Sequence, residues 1–386
     1  MGASVRATAS RLFLSLILAT TATFAARAET GVTATEVLVG MSNAQSGPAS
    51  ALGTKLKAGA QAYFAKVNAA GGVHGRRIKL VSYDDGYEPD RAVAMTGKLI
   101  DEDKVFTLFG YVGTPTSSAV LPLVSKAGIP YVAPFTGAEL LRTPVNRVVF
   151  NVRASYFDET EAMVERLTRD LGVRKIGVFI QDDAYGNAGK AGVMRALVKN
   201  NLTLVGEGKY KRNTTEIDSA LAALKQAAPE AVVMVGTYKA CAAFVKQARA
   251  AGFRPRFLNV SFVGTSDFIK EAGADAEGVY ITQVMPSPDD AALPLVKQYQ
   301  ADMKAADGAE TDYTSLEGYL DAVVLVEALR KAGPGLTRAS FIGALEGMQA
   351  DLGGVKVEYS PRSHQGLKGI FHTVVRGGRP VPVQKY

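Results

Sequence analysis

The sequence predicts an α/β protein made of two doubly wound parallel sheets. Short β-branched runs alternate with helical stretches along most of the chain, as successive βα units do. Runs such as AVVMVG, residues 231–236, are apolar on both faces, which suits parallel strands covered by helices on both sides. The alternation comes in two series, one before and one after Phe150, so two domains are expected.

The elements follow in order. Residues 35–42 read as a strand, and residues 51–72 as a helix stopped by Gly71-Gly72. A strand over 76–84, a helix over 90–103 and a strand over 105–110 come next. The stretch GYVGTPTSSAVLPLV, residues 110–124, is a loop of glycines and hydroxyls that runs into an apolar helix. A strand over 129–134 closes the first series. The second series has helices over 158–172, 186–200, 216–228 and 241–252, with strands over 175–181, 203–210, 231–236 and 256–261. From Asp289 the pattern turns helical, through 293–306 and 316–333, and the chain ends in short strands over 353–360 and 369–383.

The N-terminal stretch is different. Arg6 and Arg11 accompany an apolar run too short to span a bilayer, and Ala26-Arg27-Ala28 has the small-x-small pattern of a cleavage site. A signal peptide over residues 1–28, cut after Ala28, is expected, with export of the remaining 358 of 386 residues. That length can bury two cores. The formal charge of +7 falls by three to +4 when Arg6, Arg11 and Arg27 leave with the leader. The basic residues are scattered, which argues against nucleic acid as a partner. The single cysteine, Cys241, has no internal disulfide partner and sits in an apolar run, where a buried small hydrophobe is expected.

Catalytic equipment is sparse. His74, His364 and His372 have no second histidine or cysteine at metal-ligand spacing, so no metal or other cofactor is expected. The glycine-rich loop lacks the lysine of a triphosphate-binding loop, and there is no GxSxG elbow. The pairs Asp84-Asp85 and Asp182-Asp183 lie at the ends of expected strands, where open α/β sheets bind ligands. Caps and turn formers explain them better than acid–base groups do. A binding protein is therefore expected, not an enzyme.

Several stretches carry a resemblance. SGPASALG (46–53), the run from Gly59 to Ile100, GIPYVAPFTGAEL (128–140), DDAYGNAG (182–189) and GYLDAVVLVEALRKAG (318–333) occur in this order. Together they resemble periplasmic solute-binding proteins of the leucine/isoleucine/valine-binding family, over nearly all of the mature chain. The resemblance implies a type I periplasmic-binding fold: two lobes, joined by a three-crossing hinge, that close on a small ligand. It places lobe 1 at 29–150 and 285–356, and lobe 2 at 151–284 and 357–386, with crossings near 149–155, 280–286 and 355–361. It further implies a periplasmic monomer that delivers ligand to the permease subunits of an ABC transporter in the inner membrane. A sensor reporting to a membrane partner is the alternative.

The same resemblance assigns the loop after the third strand to the ligand's carboxylate, with Thr114, Thr116 and, from the next loop, Thr136 as hydroxyl donors. Free N–H groups and the helix dipole favour an anion there. Matching positions add Ser46, Tyr156, Tyr185 and Tyr238. Leu52 stands where some relatives place a ligand-contacting tyrosine, which implies a differently shaped pocket. Where leucine-type relatives use a glutamate for the ligand's ammonium, this chain has Ser261, followed by Phe262. Asp183 and Glu317 are the acids that would reach the cleft from other loops. The expected ligand is a small carboxylate without an α-ammonium, aromatic in view of Tyr111, Phe135, Tyr185, Tyr238 and Phe262. A branched-chain amino acid is the alternative.

Overall fold

The computed structural model describes residues 29–306 and 310–386, and the signal peptide expected over 1–28 lies outside them. The first series is β1 (Glu36–Asn43), α1 (Ser50–Ala69), β2 (Arg77–Asp84), α2 (Pro89–Asp101), β3 (Thr107–Phe109), α3 (Thr114–Ala127), β4 (Tyr131–Val132) and β5 (Val149–Phe150). Its strands pair in parallel in the order β2-β1-β3-β4-β5. The second series is α4 (Tyr156–Leu171), β6 (Ile176–Gln181), α5 (Ala184–Lys199), β7 (Leu204–Tyr210), α6 (Asp218–Ala227), β8 (Ala231–Val235), α7 (Tyr238–Ala250), β9 (Arg256–Asn259), α8 (Thr265–Ala272) and β10 (Tyr280–Gln283). It repeats the same parallel order, β7-β6-β8-β9-β10. The remainder is α9 (Pro294–Ala305), α10 (Tyr313–Ala332), α11 (Arg338–Glu346), a hairpin of β11 (Gln349–Asp351) and β12 (Lys356–Glu358), then β13 (Phe371–Arg376) and β14 (Arg379–Pro382). The last two strands add antiparallel to the edge of the second sheet.

Local chemistry sets several ends. Ser155 and Asp158 form a reciprocal capping box on α4, and Gly172 ends that helix in the left-handed region at φ 65°. Asp312 and Ser315 form the corresponding box on α10. By contrast, α3 begins at Gly113 with no side-chain cap. The short helices α8 and α11 do not appear in the sequence reading; each is only two to three turns long and has few apolar repeats to betray it.

The return of the chain after Asp289 completes the first core. Helix α10 is buried on nearly every face, and its Leu316, Leu320 and Leu325 join Val39, Phe64 and Leu108 in one cluster. It meets α1 backbone to backbone. A β-carbon at Gly59 would lie 1.8 Å from the Ser315 carbonyl oxygen, and one at Gly318 would lie 1.9 Å from that of Leu56. Tyr111 belongs to this core too. It packs on Tyr131 at 5.0 Å and shares a 2.9 Å hydrogen bond with Thr96, which corrects its expected place among the pocket aromatics. Cys241 is fully buried in the second core, where burial pushes its thiol up.

Between the sheets, residues 151–152 run beside residues 364–367. Asn151 N–H donates to the His364 carbonyl at 2.8 Å, Gly366 N–H to that of Asn151 at 2.8 Å, and Leu367 N–H to that of Val152 at 2.8 Å. Val357, Tyr359 and Leu367 pack in the first core. Among the described residues, no helix is long and apolar enough to cross a membrane.

A methyl group at the α1–α10 contact forces two backbones apart, and overpacking of this kind costs about 1–3 kcal/mol. Gly318→Ala should lower the urea midpoint of unfolding. Gly343→Ala, on α11 where a β-carbon meets nothing within 4 Å, should leave it unchanged or raise it.

Candidate functional site

In both sheets the strand order reverses between the first and third strands of the series, so a crevice opens at their carboxyl ends. The loops there face each other. One side offers the segments after β1, β2, β3 and β4. The other offers those after β6, β8 and β9, together with the crossing that follows β5.

The first side is built around the start of α3. Its first-turn N–H groups have no side-chain cap, and the helix dipole adds partial positive charge. Thr114 Oγ1 lies 2.6 Å from Thr136 Oγ1, which lies 3.4 Å from the Tyr156 hydroxyl. All three residues are fully buried. Gly113 is required in this loop. Its φ is 99°, and a β-carbon there would sit 2.1 Å from the Tyr87 ring.

Aromatic rings fill the space beside this hydroxyl chain. Phe262 lies 4.5 Å from Tyr185, 5.2 Å from Phe135 and 6.2 Å from Tyr87, measured between ring centroids. Tyr87, held at a positive φ of 64°, accepts a 3.2 Å hydrogen bond from Gln181 Nε2 across the crevice. The two faces touch, and the cavity between Phe135, Ser261, Gln283, Tyr313 and Glu317 holds only about 10 Å³. That is room for about one water, so a larger ligand enters only when the faces part.

Charge is concentrated at the crossing. Arg153 is 1% exposed. It donates through Nη2 to the Ser261 hydroxyl, and its Nε lies 3.4 Å from Glu317 Oε1. Glu159 accepts from Ser261 N–H at 2.7 Å, from the Ser261 hydroxyl at 2.9 Å and from the Thr282 hydroxyl at 2.5 Å. Burial pushes the Glu317 carboxyl up to about 7, against the pull of Arg153 and with a further push from Glu159. Burial also raises Glu159 and Asp321.

Two sets of polar contacts flank the crevice. Lys55 on α1 pairs with Asp267 on α8 at 2.9 Å and with Asp312 at 2.9 Å. Burial pulls the Lys55 ammonium down, but Asp312 and Asp267 outweigh it and hold it above its usual range. On the opposite rim, Arg212 pairs with Glu88 at 2.8 Å and with Asp183 at 3.0 Å, and Asn213 donates to Glu88 at 2.7 Å.

The structure brings Thr114, Thr136, Tyr156, Tyr185, Ser261 and Glu317 together. Thr116 is adjacent, but its hydroxyl donates back to the carbonyls of Val112 and Gly113, so only its N–H faces outward from the helix end. Ser46 is exposed and donates to Asp84 at 2.5 Å, outside the buried cluster. Tyr238 stands at the rim, its hydroxyl 3.4 Å from Ala51 N. Asp183 is spent on capping Tyr185 N–H and on Arg212. The cleft contains acids in spite of Ser261, because Glu159 reaches it from α4 and Glu317 from α10. Sequence reading missed Tyr87, Arg153, Glu159 and Gln181. Arg153 left one signal, a lone charge in the apolar crossing FNVRAS. Glu159 looks like any acid in the first turn of a capped helix.

Comparison with known proteins gives a family and a fold. Residues 36–379 match the profile of the family described as periplasmic binding protein. The Leu/Ile/Val-binding protein of Escherichia coli (strain K12) is 24% identical over 65% of this chain and 68% of its own length. An amino acid binding protein of Pseudomonas aeruginosa is 26% identical over 77% and 79%. A crystal structure of a possible leucine/isoleucine/valine-binding protein from Rhodopirellula baltica SH 1 superposes with a TM-score of 0.87 at 36% identity, covering 91% of this chain and 96% of that one. A substrate-binding periplasmic protein from Ralstonia solanacearum superposes at 0.85 with 31% identity, covering 91% and 100%. These relatives are solute-binding proteins, not enzymes.

A carboxyl held above its unfolded value adds stability that is full below that value and lost as pH rises through the folded one. For Glu317 the window runs from 4.5 to about 7. Glu159, Asp321 and Asp85, the last raised by burial to about 6, act in the same direction. Melting curves across this window should therefore decline, and Glu317→Gln should flatten part of the decline. Parallel slopes for the two proteins would show that this carboxyl is not desolvated.

Proposed function

The chain belongs to the periplasmic binding protein family, and from that premise we propose that its cleft captures a small carboxylate with an apolar or aromatic body. The observation that carries this is the buried hydroxyl chain of Thr114, Thr136 and Tyr156 at the uncapped start of α3. Hydroxyls, first-turn N–H groups and the helix dipole together suit an anion. Tyr87, Phe135, Tyr185 and Phe262 supply the walls for the body.

An α-ammonium has less to bind. Both oxygens of Glu159 are already engaged, and Glu317 lies against Arg153. Thr114, Thr136, Tyr156, Tyr185, Ser261 and Glu317 are the proposed contacts, with Thr116 acting through its N–H. Ser46 and Tyr238 act from the rim.

The lobes we propose are residues 29–150 with the return from 285, and 151–284 with the tail. The packing of Val357, Tyr359 and Leu367 in the first core favours a third crossing nearer 364–370. Opening admits the ligand, and closure seals it under the Lys55 and Arg212 pairs. The mature monomer, freed of residues 1–28, works in the periplasm and hands its ligand to the permease subunits of an ABC transporter. A sensor that reports to a membrane partner would use the same closure. Uptake of labelled ligand by cells with and without the gene separates the two.

A second reading has its own support. Glu159 and Glu317 do lie beside Ser261, and relatives are named for branched-chain amino acids. Titration calorimetry with leucine, its 2-oxo counterpart and phenylacetate decides between them. The first reading expects the two acids to bind and leucine to bind weakly, and tight binding of leucine alone would sink it.

Two further outcomes are expected. Thr114→Val should weaken binding of the preferred acid by about 1.5–3 kcal/mol, through loss of a charge-assisted hydrogen bond. Thr116→Val should cost much less, because that hydroxyl already donates to the carbonyls of Val112 and Gly113. Small-angle scattering should give the Lys55→Gln/Arg212→Gln double variant a larger radius of gyration than the wild type in the absence of ligand, and ligand should reduce the difference.

A further inference from the structure

The carboxylate reading leaves Arg153 unused. Its Nε and Nη1 have no hydrogen-bond partner among the described residues, although the side chain is 1% exposed. Its guanidinium rests on the Phe135 ring, 4.5 Å from the centroid. The side chains its guanidinium meets at Phe135, Ser261 and Glu317 line the same small cavity. Unmade donors on a buried guanidinium are uncommon, because a charge that has left water needs hydrogen-bond partners.

The neighbouring acids do not use up these donors. Glu159 gives its oxygens to Ser261 and Thr282. Glu317 stands 3.4 Å from Nε without making a hydrogen bond to it. The anion site at α3 lies close by, since Phe135 precedes Thr136 in the chain. A group with acceptor oxygens and negative charge would complete Arg153.

We propose that Arg153 binds a second acidic group on the ligand, so that the cleft selects dicarboxylates over monocarboxylates. This rests on the carboxylate reading above and names its substrate class. One carboxylate sits at the start of α3, and the other takes the free donors of Arg153. Glu317 assists when protonated, by donating to the second carboxylate, and repels it when ionised. The charged and titratable groups facing Glu317 are Arg153, Glu159, Arg142 and Asp321. Burial holds the Glu317 carboxyl at about 7, so dicarboxylate affinity falls as pH rises through that value. An α-ammonium ligand would show the opposite sign, because it prefers the ionised acid.

The test is calorimetry on the mature protein with matched acid pairs: benzoate with terephthalate, phenylacetate with 1,4-phenylenediacetate, and pentanoate with glutarate. At least one diacid should bind about tenfold or more tightly than its monoacid. Its affinity should fall between about pH 6 and about pH 8. In Arg153→Gln the preference ratio should collapse towards one, and Arg153→Lys should keep part of it. Should either variant fail to fold, the wild-type ratio and the sign of its pH dependence decide alone. Equal affinity within every pair, or diacid affinity that rises with pH, overturns the inference and leaves the carboxylate reading standing. Binding of leucine with no acid bound overturns both.

Discussion

The carboxyl ends of two parallel sheets face each other, and the polar groups left there must all be answered. Parallel strands with helices on both faces bury their sides, so their unpaired backbone groups gather at the ends. Facing ends pressed together would strand those groups without water. The cleft meets this with short hydroxyl side chains at the start of α3 and with Arg153, Glu159 and Glu317 at the crossing. Aromatic rings fill what remains. The side chains of the site are those this burial demands, with a few donors to spare.

That balance explains why the acids there are raised and not lowered. In water an arginine beside a glutamate holds the acid ionised. Here the loss of hydration outweighs the attraction, so Glu317 reaches about 7 although Arg153 is next to it. Asp84 shows the reverse at the solvent edge. Burial pushes it up, but Ser46, the N–H groups of Gln45 and Gly86, and Arg91 outweigh that and hold it at about 2. Asp84 ends β2 and Glu317 lies on α10, which packs against the same core, and the two differ in how much water they keep.

The fold was largely legible because its signals are local. Continuous apolar runs mark strands such as β6 and β8, and Gly71-Gly72 marks the end of α1. The hydroxyls of Thr114 and Thr136 stood out because they follow strands. Ser46 also follows a strand, but its position says nothing about where its hydroxyl turns, and here it donates to Asp84. Tyr111 misled for the same reason, turning inward to Thr96. Arg153 and Glu159 become neighbours of Ser261 only through contacts of more than a hundred residues' separation, which no local pattern encodes. The short helices α8 and α11 were missed because two turns carry too little periodicity.

The hydrogen-bonded run of residues 151–152 beside 364–367 has a mechanical consequence. Two strands tied side by side behave like a narrow leaf spring. Sliding one along the other breaks their bonds, whereas bending both out of their common plane keeps them. The soft deformation of this ribbon is therefore a bend about one line across it, and shear is stiff. Arg153 follows this ribbon directly in the chain, so a bend there would act on the residue that joins Ser261 and Glu317.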